Sequence, residues 1–113
     1  MKKVLFFAVV AALFSLVSCK ESNELKVMSY NVRYDNAGDG ENAWDFRKHA
    51  TIAMLNAVKP DVFGVQEALP NQIAYISEQA PVYKNVGVGR DDGISKGEHM
   101  SVFWNTETIE MLQ

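Results

Sequence analysis

A chain of 113 residues that is 48% hydrophobic and 22% charged has the make-up of an ordinary globular protein, which excludes a disordered, collagen-like or coiled-coil chain. Lys and Arg number 11 against 14 Asp and Glu, a net charge of −3, so no overall basic surface is available to drive non-specific nucleic-acid binding by counterion release. The single cysteine, Cys19, cannot form an internal disulfide.

Lys2 and Lys3 make a short positive start, and the uncharged run from Val4 to Val17 follows, which is the layout of a secretory signal and too short to span a bilayer comfortably. Leu16, Val17, Ser18 and Cys19 resemble a bacterial lipobox, where the cysteine is diacylated and becomes the mature N-terminus. The resemblance implies a lipoprotein signal over residues 1–18, lipidation at Cys19, and a polar tether over residues 19–24. Two acyl chains suffice for stable anchoring. The expected location is the bacterial cell envelope, reached by export and held by lipid at the outer membrane or cell surface.

Leu25 to Val32 is rich in strand formers and too short for a helix, and the glycines, aspartates and asparagine between Arg33 and Glu41 predict a loop. Ala43 to Lys59 reads as an amphipathic helix, with Asn42 as N-cap and Pro60 as stop. Its polar arc carries Asp45, His49, Asn56 and Lys59, and its apolar side carries Phe46, Ala50, Ala53, Met54, Ala57 and Val58. Asp61 to Gln66 is apolar on both faces, as in a buried parallel strand. Pro70 opens a second helix that runs to about Gln79, before Pro81. Val82 to Val88 is a further strand, Gly89 to Gly97 a polar loop, and Met100 to Trp104 with Thr108 to Leu112 a hairpin.

The first seventy residues therefore read β-α-β, whose crossover is right-handed and whose strands run parallel. Asn31 and Glu67 fall at the carboxyl ends of those strands, the edge where open α/β sheets bind ligands. A carboxylate with an amide oxygen is a hard-oxygen pair suited to Mg²⁺. The same residues are also accounted for by a turn at Asn31 and a polar exit from a buried strand at Glu67.

Four segments in order, SYNVRYDN around Asn31, NAWDFRK before the helix, KPDVFGVQE ending at Glu67, and GRDDGISKGEHMSVFW around Arg90 and Glu98, resemble the endonuclease/exonuclease/phosphatase superfamily, above all its bacterial secreted and lipoprotein members. The resemblance covers Val27 to about Trp104. It implies an α/β fold, a four-layer sandwich of two packed β-sheets flanked by helices, of which residues 25–113 would be the N-terminal part. The activity implied is phosphoester hydrolysis dependent on Mg²⁺ or Mn²⁺.

Residue by residue, Glu67 matches the family's metal-binding glutamate, Asn31 the asparagine that organises metal and phosphate, and Glu98 the acidic residue that orients a catalytic histidine. That histidine, and the Asp-x-Asn and Ser-Asp-His elements that follow it in the family, have no match here. The chain is therefore expected to be an incomplete domain, inactive alone, that needs the missing C-terminal half. Substrates in the family span nucleic acids, sugar and inositol phosphates, and phospholipid head groups.

Other residues carry plainer expectations. Arg90 either contacts phosphate or is a solvated loop arginine. His49 is expected in solvent, and His99, next to Glu98 at a strand start, is expected to be structural, with substrate contact as the alternative. Trp44 and Phe46 are expected to dock the helix rather than to stack bases. Gly87, Gly89 and Gly93 precede a loop and so make no dinucleotide fingerprint, and the DNAGDGEN segment reads as turn chemistry rather than a Ca²⁺ loop. The alternative from another class is a non-catalytic lipoprotein that uses an α/β domain as a binding module.

Overall fold

The computed structural model describes residues 23–112, so the export segment, Cys19 and most of the tether lie outside the described residues. Four strands form one sheet: β1 (Val27–Asn31), β2 (Val62–Gln66), β3 (Tyr83–Val86) and β4 (Val102–Asn105), in the order β1-β2-β4-β3. β1 and β2 pair in parallel, with Met28 beside Phe63 and Asn31 beside Gln66, as the β-α-β reading requires. β4 is antiparallel to both β2 and β3.

Helix α1 (Trp44–Val58) and helix α2 (Pro70–Gln79) contribute to one core on one face of this sheet. Met28 and Tyr30 from β1, Phe63 and Val65 from β2, Phe103 from β4 and Tyr83 from β3 point inward, where they meet Leu55 of α1 and Ile76 of α2. Phe63 stacks on Phe103 at a centroid distance of 4.8 Å and meets Tyr83 edge-on at 5.1 Å. Each such side chain contributes roughly 1.5–3 kcal/mol when removed from water. The Tyr83 hydroxyl donates to Pro60 O, and burial pushes its pKa up.

The alternate residues face the other way and stay open: Val27, Val86 and Val102 are 66%, 54% and 42% exposed. The described residues thus build two layers, a sheet and the helices on one of its faces, within the expected α/β class. Among the described residues no helix is long and apolar enough to cross a membrane.

Three expectations need correction. The hairpin between Met100–Trp104 and Thr108–Leu112 does not form: residues 106–108 turn, and residues 109–112 carry no strand. The reason is pairing, since β2 and β3 already occupy both edges of β4. The N-cap of α1 is Ala43 rather than Asn42, because a 3₁₀ helix over Ala37–Asn42 runs up to it, and Asn42 O accepts from Arg47 Nε. The buried side of α1 is lined by Trp44, Thr51 and Leu55, whereas Phe46 is 73% exposed and Ala50, Ala53 and Ala57 share its outer arc. Trp44 docks as expected; Phe46 does not. Large side chains, and a threonine whose hydroxyl meets Tyr30 Oη at 2.9 Å, set the packing where alanines have little area to bury.

Smaller shifts concern strand ends. β1 and β3 are shorter than the stretches Leu25–Val32 and Val82–Val88, while α2 spans the expected residues.

Candidate functional site

Parallel register delivers Asn31 and Gln66 side by side at the carboxyl edge of the sheet. Strict alternation would then turn the next residue, Glu67, toward the helices. It does not, because Glu67 adopts the left-handed conformation (φ 61°), and its side chain lines the same cleft as Asn31. Asn31 Nδ2 donates to Glu67 Oε1 at 2.9 Å, and Asn31 Oδ1 accepts from the Arg33 amide at 2.8 Å. Arg33 is also left-handed (φ 54°). Two non-glycine residues in this region next to one pair of side chains mark the strain that surrounding structure must hold in place.

That support is visible. Arg47 of α1 donates Nη1 to Val32 O and Nη2 to Arg33 O, and its guanidinium lies over the Trp44 ring at 5.2 Å. Gln72 of α2, fully buried, donates Nε2 to Arg33 O at 2.9 Å. The Arg33 side chain turns outward and pairs with Asp39 through two bonds of 3.0 and 2.9 Å. This holds the Asp39 carboxyl below the usual range and raises the Arg33 pKa. Asp39 is thereby committed to the turn, and Asn36 Oδ1 accepts from the Gly38 amide, as turn chemistry predicts.

The facing wall comes from the loop between β3 and β4. Arg90 Nη1 donates to Glu98 Oε2 at 3.0 Å, and the Arg90 amide donates to Glu98 O. Backbone bridges join His99 to both Ala68 and Gly89, tying this loop to the exit of β2. Gly89 is required there, since a Cβ would collide with the Lys96 backbone. At the tip, Asp92 Oδ1 accepts from the amides of Ile94, Ser95 and Lys96, and those backbone donors lower its pKa.

Together the two walls enclose a cleft of about 700 Å³ lined by Asn31, Glu67, Arg90, Glu98, Val88 and Met100, among others. The structure thus brings all four described candidate residues to one place. His99 is not among the lining residues: it is 8% exposed, its amide donates to Ala68 O, and its ring Nδ1 meets Gly97 O at 3.0 Å. Alternation turns it to the opposite side from Glu98 and Met100. His49 is exposed and meets Tyr75 Oη, as a solvated histidine does. Arg47 and Gln72 were not evident as site residues. A glutamine three residues beyond the helix N-cap was the available signal for Gln72.

Among the described residues no ion pair reaches Glu67, and no three His, Cys, Asp or Glu side chains converge to enclose a metal. The donors present are one carboxylate and one amide oxygen. That set fits a hard cation such as Mg²⁺, which takes one or two carboxylates and completes its shell with water and phosphate oxygens.

Comparison with solved structures gives the same topology. The chain superposes on an endonuclease/exonuclease/phosphatase from Bacteroides vulgatus with a TM-score of 0.76 and 35% identity, over 79% of this chain and 34% of that one. This is the fold of the endonuclease/exonuclease/phosphatase superfamily. A mannosyl-6-phosphatase from Bacteroides thetaiotaomicron VPI-5482 matches with a TM-score of 0.75 and 36% identity, over 80% of this chain and 34% of that one. D. rerio TDP2, in a complex with a single-strand DNA product, shares the fold at a TM-score of 0.62 and 24% identity, over 79% of this chain and 32% of that one. The chain thus spans about a third of the length of the endonuclease/exonuclease/phosphatase structures it matches (34%). No protein-family model matches it, and no curated protein matches it.

Proposed function

We propose that this chain is part of a divalent-metal-dependent phosphoester hydrolase and carries its metal-binding glutamate, Glu67. The observation that carries the reading is the Asn31–Glu67 pair, bonded at 2.9 Å on the carboxyl edge of a parallel strand pair and open to a cleft shared with Arg90 and Glu98. Asn31 holds one carboxylate oxygen through its amide nitrogen, which leaves the other oxygen of Glu67 for Mg²⁺ or Mn²⁺. The Asn31 carbonyl oxygen is the second donor. A bound divalent cation supplies charge neutralisation at a phosphoryl oxygen. Arg90 offers its remaining N–H groups to phosphate, and Glu98 waits on a partner histidine that the family resemblance assigns to the rest of the domain. On this reading the 113 residues alone are inactive.

The open sheet face supports the same reading. Val27, Val86 and Val102 present an apolar surface that a second sheet from the remainder of the domain would cover, completing a four-layer sandwich. A sugar phosphate is the favoured substrate class, since the mannosyl-6-phosphatase relation stands at 36% identity and the acidic net charge disfavours a long polyanion. Export and lipidation at Cys19 would anchor the enzyme to the envelope membrane.

The test is Glu67→Gln in a protein that includes the rest of the domain, assayed with Mg²⁺ on mannose 6-phosphate and p-nitrophenyl phosphate. Losing the anionic ligand removes several kcal/mol of charge stabilisation. Turnover is therefore expected to fall on the order of 10²- to 10³-fold with an unchanged melting temperature. Wild-type turnover at saturating Mg²⁺ would refute the assignment.

A further inference from the structure

Gln72 is a polar side chain with no exposed surface, and both its amide oxygen and its amide nitrogen are hydrogen-bonded. Its Oε1 accepts from the Leu69 amide at 2.9 Å and from the Asp35 amide at 3.1 Å, while its Nε2 donates to Arg33 O at 2.9 Å. Leu69 belongs to the turn that leaves β2 two residues after Glu67, and Arg33 to Asp35 form the turn that leaves β1 two residues after Asn31. One carboxamide therefore clamps both strand exits from beneath.

The bond to Arg33 O matters most. Arg33 sits in the left-handed region, and its amide is the group that fixes Asn31 Oδ1 and so aims Nδ2 at Glu67. Arg47 Nη2 holds the same carbonyl at 2.6 Å from the α1 side, and Asn71 Nδ2 holds the Asp35 carboxylate at 2.9 Å. At the buried Gln72 carboxamide these bonds favour one arrangement, because breaking one leaves a buried polar atom unpaired.

We infer that Gln72 is a positioning residue that sets the Asn31–Glu67 geometry by locking the two turns to each other. The inference rests on the proposed role of Glu67 for its consequence in metal binding, but the clamp itself does not depend on it.

The experiment compares Gln72→Met, Gln72→Glu and a control, Thr51→Val, in the protein that includes the rest of the domain. Thr51→Val removes the bond to Tyr30 Oη in the same α1–β1 layer without touching either turn. Two quantities are read: the Mn²⁺ concentration at half-saturation, with Mn²⁺ alone as probe, and the hydrogen-exchange rate of the Arg33 amide without metal. For Gln72→Met the half-saturation concentration should rise about 10- to 100-fold, the effect typical of groups that orient a ligand. Arg33 exchange should rise about tenfold or more, and Thr51→Val should move neither quantity whatever its melting temperature.

Gln72→Glu keeps the size and the acceptor oxygen facing the Leu69 and Asp35 amides, and at a pH where its carboxyl is ionised it sets a second acceptor against Arg33 O in place of the donor. Read at such a pH, it should move both quantities in the same direction as Gln72→Met, and it covers the case in which Gln72→Met fails to fold. Unchanged Arg33 exchange in Gln72→Glu, or equal shifts in Thr51→Val, would overturn the inference. A wild-type protein that does not bind Mn²⁺ would instead overturn the metal-site reading, while the exchange rates would still decide the role of Gln72.

Discussion

On one side of the cleft, Asn31 and Glu67 stand on strand exits gripped from below by Gln72 and Arg47, with Trp44 packed under the Arg47 guanidinium. On the other side, Arg90 and Glu98 stand on a loop, joined to each other by an ion pair in which the Arg90 side chain is 71% exposed. An ion pair that open to water is worth no more than about 1 kcal/mol. On the proposed reading the difference separates two jobs: a wall that would hold a ligand atom is built from packed elements, and a wall that would meet substrate is built from a loop.

The largest effect that would sharpen this contrast comes from Trp44, which is 2% exposed and meets Tyr75 edge-on at 5.7 Å. Trp44→Ala should cost about 3–5 kcal/mol of stability by denaturant titration, the range for deleting a buried aromatic ring. A loss under about 1 kcal/mol would mean that α1 does not brace the Asn31 side, and the comparison would fail.

A smaller effect is expected at the loop tip. The Asp92 carboxylate, held by three amides, has a lowered pKa, so its contribution is fully present above the ordinary aspartate value of about 3.9 and is lost only as pH falls through the lower folded value. The amide resonances of Ile94, Ser95 and Lys96 should therefore titrate together with a midpoint below about 3.9. A midpoint at or above that value, or independent titration of the three, would remove the account of how this wall is ordered.

How much of this was legible beforehand follows the same division. The parallel pair and the placing of Asn31 and Glu67 at one sheet edge came from period, Pro60 and the handedness of the crossover, all local or nearly local signals. The clamp did not, because Gln72 acts on residues more than thirty positions earlier, and nothing local records which carbonyl a buried amide will reach. The burial of Thr51 was masked for the same reason, since its hydroxyl is satisfied by Tyr30 from another strand. The false hairpin at Thr108–Leu112 came from judging a segment by composition when both edges of its neighbour were already taken.

The central claim is that Glu67, aimed by Asn31, is the cation-binding group of the cleft. Its most direct measurement is a titration of Mn²⁺ into the protein, reading paramagnetic broadening of amide resonances in wild type and in Glu67→Gln. The account predicts that broadening in wild type centres on the exits of β1 and β2, at Asn31 and Glu67, and disappears from those resonances in the variant. Broadening centred elsewhere, or unchanged by Glu67→Gln, would contradict it.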